Sequence, residues 1–182
     1  MPRILLIRHG EAAKAPGVED PRLTPLGEQQ ADTLVQRLAQ KRPLALVSSP
    51  KARAQQTAMP LSRAWHQPMT IEPRVTEIPS PRELPLAQRG RWIRELLQRQ
   101  WDQLEDHQLG WRREIMDYLV RLQADAAVVC HFMVINSVVA AIRRDSKILQ
   151  FRPDYTSVTE LQLQEGSLTL VQCGEARTSQ IL

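Results

Sequence analysis

The sequence predicts an α/β fold: a three-layer α/β/α sandwich with a mostly parallel central sheet and a C-terminal hairpin. Three observations carry that expectation. Continuous apolar runs of strand length recur at residues 4–7, 44–47 and 126–130, the pattern of strands covered on both faces. Stretches with apolar residues at helical spacing separate them. Two last strand-like runs, 158–163 and 168–171, are divided by Glu165-Gly166 in the manner of a hairpin turn.

Taken in order, Ile4-Leu5-Leu6-Ile7 is the first strand. Thr24-Pro25 then supplies an N-cap with proline at the first helical position, and Ala31, Leu34, Val35 and Leu38 follow on one helix face. After the strand at 44–47, Ser49-Pro50 repeats the cap-plus-proline signal, with Ala54, Ala58, Leu61 and Trp65 as the inward stripe. Pro73, Pro79, Pro81 and Pro85 crowd residues 72–85, which read as an extended surface passage that can border a site. Ile93, Leu97, Trp101 and Leu104 predict one further helix, and Trp111, Ile115, Leu119 and Leu122 another. Beyond the strand at 126–130, Val134, Ile135, Val138, Ala141 and Ile142 mark a last helix. No internal repeat or linker divides the chain. The expectation is a single domain over 1–182, with a proline-rich and helical insertion at about 72–122.

Composition narrows the function classes. A chain of 182 residues, 42% hydrophobic and 24% charged, can bury a core without disulfides or structural metal. Its apolar runs are too short to span a bilayer, and the N-terminus reads as a strand and not as a signal peptide, so a cytoplasmic protein without membrane contact is expected. Cys130 and Cys173 stand in no metal-ligand or redox spacing and read as reduced structural thiols. The net charge of +4 comes from basic residues spread along the chain, without an aromatic-rich binding motif. Nucleic acid is therefore not expected as a partner; a small anionic substrate is.

Candidate chemistry gathers after the predicted strands. Arg8-His9-Gly10 follows the first one, where open α/β sheets bind ligands. Arginine offers a planar fork of donors to phosphate oxygens, imidazole can act as a nucleophile, and glycine permits close backbone approach. Ser48-Ser49-Pro50-Lys51-Ala52-Arg53 follows the second strand and puts Arg53 in the first turn of a helix, whose free N–H groups also favour an anion. His131 follows another core strand at the same sheet edge.

The order of these pieces, together with Leu23-Thr24-Pro25-Leu26-Gly27-Glu28 between the first two, resembles the histidine phosphatase superfamily, also called the phosphoglycerate-mutase-like family, over nearly the whole chain. The resemblance implies a phosphate pocket in which His9 attacks phosphorus while Arg8, Arg53 and His131 hold the oxygens. It implies no cofactor and no metal, since fixed cations already meet the needs of phosphoryl transfer. Adjacent arginines favour the neutral imidazole that attack requires. His66 and His107 lie outside the matching motifs and read as surface residues.

Arg74-Val75-Thr76-Glu77-Ile78 resembles the segment in which many members carry a glutamate proton donor. Glu77 is the choice there and Glu83 the alternative. Two departures from the family pattern matter. Ala12-Ala13-Lys14 replaces a hydroxyl residue and a later asparagine, and the chain is shorter than the mutases, which together favour a phosphatase. Cys130-His131-Phe132-Met133 stands where relatives show His-Gly, so Phe132 either packs in the core or narrows the pocket. The resulting expectation is a metal-independent phosphatase acting on a phosphomonoester through a phosphohistidine at His9. A protein phosphohistidine phosphatase, or a non-catalytic phosphate-binding member of the same fold, remains the alternative; Glu77 and the long insertion favour the ester.

Overall fold

The computed structural model describes residues 1–14, 17–41, 44–177 and 181. The chain runs β1 (Arg3–Arg8), α1 (Pro25–Arg37), β2 (Ala45–Ser48), α2 (Ala52–Trp65), β3 (Met69–Ile71), α3 (Arg89–Leu96), α4 (Asp106–Val120), β4 (Ala126–Cys130), α5 (Phe132–Arg143), β5 (Val158–Gln164) and β6 (Ser167–Gln172). The strands form one sheet in the order β3-β2-β4-β1-β5-β6. β3, β2, β4 and β1 are parallel, and the β5–β6 hairpin adds on antiparallel to β1. This is the expected α/β sandwich.

Alternation along the central strands divides the core into two layers. Leu5, Ile7, Leu46, Ala127 and Val129 point to one face, where Leu34 and Leu38 at the end of α1 and the Ala54, Ala58, Leu61, Trp65 stripe of α2 cover them. Ile4, Leu6, Ala126 and Val128 point to the other, against Ile115 and Leu119 of α4 and Val138 of α5. Because both faces are covered, β1, β2 and β4 carry apolar residues at consecutive positions, which is why they read as continuous runs.

Local signals explain most element ends. Thr24 caps α1 through its Oγ1, which accepts from the Gly27 N–H at 3.0 Å, with Pro25 at the first helical position. Glu165 and Gly166 both take positive φ, 51° and 75°, as a two-residue hairpin turn demands. For α2 the expected cap is displaced: Lys51 is the N-cap and Ser49 lies before it, so Ser49 is released to face another partner.

Three expectations are corrected. The helix expected through Ile93, Leu97, Trp101 and Leu104 ends at Leu96, and a separate 3-10 turn covers Trp101–Gln103. Trp101 N–H donates to the Ser146 carbonyl at 2.8 Å, a tertiary bond that local periodicity does not encode. Second, residues 72–85 are a surface passage only in part, with Pro73, Arg74, Arg82, Glu83 and Pro85 exposed. Val75 and Ile78 are fully buried and a 3-10 turn spans Pro73–Val75. Third, His107 is no plain surface residue, for its Nε2 lies 3.2 Å from the Ser80 carbonyl.

Two glycines let the turn after β1 meet the start of α1. A Cβ on Gly10 would stand 2.8 Å from the Gly27 carbonyl oxygen, and one on Gly27 would fall inside the van der Waals surface of the Glu11 backbone. By contrast, a Cβ on Gly110 in α4 meets nothing nearer than the Arg113 guanidinium at 3.7 Å. Urea unfolding should therefore show Gly27→Ala destabilising the protein by about 1–3 kcal/mol, through overpacking against backbone that cannot yield. Gly110→Ala, in an open helix interior, should stabilise it by up to about 1 kcal/mol.

Candidate active site

Parallel pairing of β2, β4 and β1 brings the site together. Arg8 is in register with Cys130, and Ser48 with Val129, so the residues that follow, His9, His131 and Ser49, emerge side by side at the carboxyl edge. The ladder continues one step further: His9 N–H donates to the Cys130 carbonyl at 3.1 Å and Ser49 N–H to that of Val129 at 3.0 Å. The two imidazole centroids are 5.3 Å apart.

His9 is fixed at both nitrogens. Its Nε2 lies 3.3 Å from Arg53 Nε and its Nδ1 2.7 Å from the Gly10 carbonyl oxygen. A guanidinium can only donate and a carbonyl can only accept, so Nε2 carries the lone pair and Nδ1 the proton. Burial, then the charges of Arg53 and Arg8, hold the His9 pKa well below its ordinary value. The arginines act as the sequence reading expects, and desolvation is the larger cause.

His131 is equally buried, at the junction of β4 and α5. Its Nε2 is 2.7 Å from Ser49 Oγ, and its Nδ1 is buried with no hydrogen-bond partner among the described residues. Burial first, then Arg53 and His9, depress its pKa in the same direction. Phe132, the next residue, packs fully in the core and reaches beneath Arg8, whose guanidinium carbon lies 5.3 Å from the ring centroid.

The two arginines come from different elements. Arg8 ends β1, donates from Nη1 to the Pro153 carbonyl at 2.9 Å, and sits 4.2 Å over the Tyr155 ring. Burial lowers its pKa to about 10, which still leaves it charged at neutral pH. Arg53 stands in the first turn of α2, only 3% exposed. Thr57, one turn on, ties α2 to the turn after β1 by accepting from the Gly10 N–H at 2.9 Å.

Glu77 is buried at the N-terminus of α5, whereas Glu83 is exposed. Its Oε1 accepts from the Ile78 N–H at 3.0 Å, and both oxygens face the Met133 N–H at 3.2 Å. Burial raises its pKa, opposed by Arg89, by those two N–H groups and by Arg53. The loop that carries it is pinned by side chains of the following helices. Trp111 Nε1 donates to the Thr76 carbonyl at 2.8 Å, Gln108 Nε2 to that of Pro79 at 3.1 Å, and Arg89 Nη2 to that of Ile78 at 2.7 Å.

Arg53 and Glu77 also line a cavity of about 970 Å³. Sequence reasoning missed three residues here: Arg89, Ser49 as a partner of His131, and Tyr155. Arg89 and Tyr155 follow no strand and sit in no motif, and Ser49 was read as a helix cap. Among the described residues, no group of three or more His, Cys, Asp or Glu side chains is placed to hold a metal ion, and no helix is long and apolar enough to cross a membrane.

Comparison with known proteins identifies the family and the fold. The family model described as histidine phosphatase superfamily (branch 1) matches residues 4–176. A glucosyl-3-phosphoglycerate phosphatase of Mycolicibacterium vanbaalenii is 35% identical over 80 residues, 41% of this chain and 36% of the relative, so the match spans about a third of that protein. Among solved structures, a phosphoserine phosphatase of Entamoeba histolytica in complex with 3-phosphoglyceric acid superposes with a TM-score of 0.75 at 20% identity, covering 97% of this chain and 98% of that one. A mycobacterial glucosyl-3-phosphoglycerate phosphatase with inorganic phosphate gives 0.73 at 20% identity, over 97% and 98%. At such identities the likeness is one of fold.

The buried imidazoles make stability depend on pH. Both are held neutral in the folded chain, whereas in the unfolded chain they take up protons near the ordinary value of about 6.5. The unfolded state thus binds more protons below that pH, and stability present above it is lost as pH falls toward the depressed folded values. In urea unfolding between about pH 6.5 and 5, His9→Gln should reduce the slope of stability against pH by up to about 1.4 kcal/mol per pH unit. An unchanged slope would mean that the ring is already protonated in the folded state.

Proposed function

The chain belongs to branch 1 of the histidine phosphatase superfamily, and we propose that it is a phosphatase that hydrolyses a phosphomonoester through a covalent phosphohistidine on His9. The observation that carries this reading is the tautomer of His9. With Nδ1 donating to the Gly10 carbonyl and Nε2 facing Arg53, the lone pair points among the cations that would hold a phosphoryl group.

In the first step the Nε2 lone pair forms a bond to phosphorus, and the bond from phosphorus to the ester oxygen breaks. Arg8 and Arg53, with His131, hold the non-bridging oxygens, supplying fixed positive charge in a dry site where it acts strongly. His131 Nδ1, buried and unpartnered, gains a partner in a phosphoryl oxygen, which removes a penalty of about 1–3 kcal/mol. Glu77 gives its proton to the leaving oxygen. Its burial favours the protonated form, and an anion binding to Arg53 removes part of the field that opposes it. In the second step water attacks phosphorus, the Glu77 carboxylate takes its proton, and the N–P electron pair returns to Nε2. Inorganic phosphate then leaves. The positive field of Arg8 and Arg53 stands in place of a divalent metal throughout.

A small-molecule ester suits the site because the cavity lined by Arg53 and Glu77 gives the leaving group room within the protein. Glu77 is the donor in preference to Glu83, which is exposed and lines no part of that cavity.

Rapid-quench trapping with a slow substrate should yield an acid-labile, base-stable phosphoenzyme, and His9→Ala should lose it together with about 10³-fold or more in kcat. EDTA should leave the rate unchanged; a rate lost to chelator and restored by Mg²⁺ would contradict the proposal. Glu77→Gln should lower kcat by about 10²-fold or more for alkyl phosphates, whose leaving oxygen needs a proton, and much less for p-nitrophenyl phosphate. Equal losses on both substrates would make Glu77 a positioning residue, and selectivity appearing in Glu83→Gln would move the role there.

A further inference from the structure

Arg8 is held by its main chain and its side chain at once, and one short segment, residues 153–157 leading into β5, does both. The Arg8 N–H donates to the Ser157 carbonyl at 3.2 Å, and the Arg8 carbonyl accepts from the Thr156 N–H at 2.9 Å. Its Nη1 donates to the Pro153 carbonyl at 2.9 Å, and its guanidinium carbon lies 4.2 Å from the centroid of the Tyr155 ring. That ring also stands 6.1 Å from the His9 imidazole, tilted by 48°. Tyr155 thus adjoins the nucleophile and the cation beside it, though neither step of the reaction described above uses it.

The backbone that places this ring is strained. Thr156 takes a φ of 55°, in the left-handed region that a β-branched side chain rarely adopts. Such a conformation costs free energy and persists only where its surroundings hold it. Two groups do so here. The Thr156 hydroxyl donates to the Tyr155 carbonyl at 2.7 Å. Arg37, exposed in the last turn of α1, donates through Nη1 to the Thr156 carbonyl at 2.9 Å and lies 3.3 Å from its Oγ1. The left-handed turn lets Tyr155 lie over the Arg8 side chain while Thr156 and Ser157 pair with the Arg8 main chain.

We propose that Tyr155 is a positioning residue for phosphoryl transfer: its ring face fixes the plane in which Arg8 presents its fork to the phosphoryl oxygens, and Arg37 latches that ring through Thr156. The inference deepens the phosphatase reading and rests on it for the reaction that Arg8 serves. A guanidinium is planar and binds oxygens in pairs, so a rotation about its long side chain breaks the fit without moving the charge far. A ring face against the cation opposes that rotation, because the attraction requires the cation to stay over the ring. The three non-bridging oxygens flatten into one plane as the phosphoryl group transfers. A fixed fork therefore gains more in the transition state than in the bound substrate.

Vanadate, which takes up the flattened geometry of the transferring group, and inorganic phosphate separate the two states without turnover. By calorimetry, Tyr155→Leu should weaken vanadate binding by about tenfold or more and phosphate binding by about threefold or less. The kcat for p-nitrophenyl phosphate should fall in step with vanadate affinity, and KM should change as little as phosphate affinity does. Tyr155→Phe, which keeps the ring, should recover most of the loss. Arg37→Gln, a change on the surface of α1, should show the same selectivity at smaller size. Equal weakening of both anions in Tyr155→Leu overturns the proposal, as does no weakening of either or a phenylalanine variant no better than leucine. If Tyr155→Leu fails to fold, Arg37→Gln decides, and an unchanged ratio of vanadate to phosphate affinity there overturns it. Turnover by the wild-type protein is scored separately. A wild-type protein that turns nothing over, with variants that show the selectivity, loses the phosphatase reading and keeps this placement of Arg8; one that turns over, with variants of unaltered ratio, loses this proposal alone.

Discussion

Parallel register between β1, β4 and β2 determines where every polar group at the carboxyl edge of the sheet falls. With Arg8 opposite Cys130 and Ser48 opposite Val129, the chain leaves three neighbouring strands at one level, and His9, His131 and Ser49 are set about one strand spacing apart. A slip of one residue in either pairing would turn each of these side chains to the opposite face. What prevents the slip is the burial of both sheet faces. Leu5 and Ile7 can only pack toward α1 and α2, and Ile4 and Leu6 only toward α4 and α5. The core therefore positions the site.

The charges at this edge are held under conditions that would otherwise be costly. Two arginines and two imidazoles are buried within a few residues of one another, which burdens any ion with desolvation. The structure meets that cost in part with carbonyl acceptors and ring faces: Pro153 and Tyr155 for Arg8, and Ile78 and Trp92 for Arg89. Arg8 and Arg53 set a positive potential at this edge, which His9 feels. The same potential, together with burial, keeps both imidazoles neutral, and a nucleophile needs that state.

Glu77 sits in a loop held by hydrogen bonds from side chains of two helices. Its backbone neighbours Thr76, Ile78 and Pro79 have their carbonyls bound by Trp111, Arg89 and Gln108, and its carboxyl group is seated on the first turn of α5. Prolines at 73, 79, 81 and 85 flank the buried residues of this stretch and remove N–H donors from it, so fewer of its backbone groups require partners. Burial of Val75, Glu77 and Ile78 is compatible with the backbone polarity around them because side chains from α3 and α4 bind the neighbouring carbonyls.

Much of this was legible in the sequence because its signals are local. Continuous apolar runs mark doubly covered strands, Thr24-Pro25 marks a helix start, and Glu165-Gly166 marks a hairpin. Arg8 ends a strand, His9 and His131 stand just past one, and Arg53 opens the helix that follows one, so the topology of an α/β sheet is enough to bring them to one edge. Glu77 was chosen over Glu83 through the resemblance of its segment to the family, which does not report its burial. The proline signal of residues 72–85 reports that no regular helix or strand runs through them, and it says nothing of the side chains 29 and 35 residues away that bind the carbonyls of Pro79 and Thr76. For the same reason Arg89, Ser49 and Tyr155 left no mark on the sequence, and the helix expected through Trp101 was broken by a bond to Ser146 that no periodicity records. Residue type and short-range spacing were determined by the chain itself. Tertiary packing decided which buried polar groups meet, because hydrogen bonds between distant segments depend on where the core brings them and not on their order along the backbone.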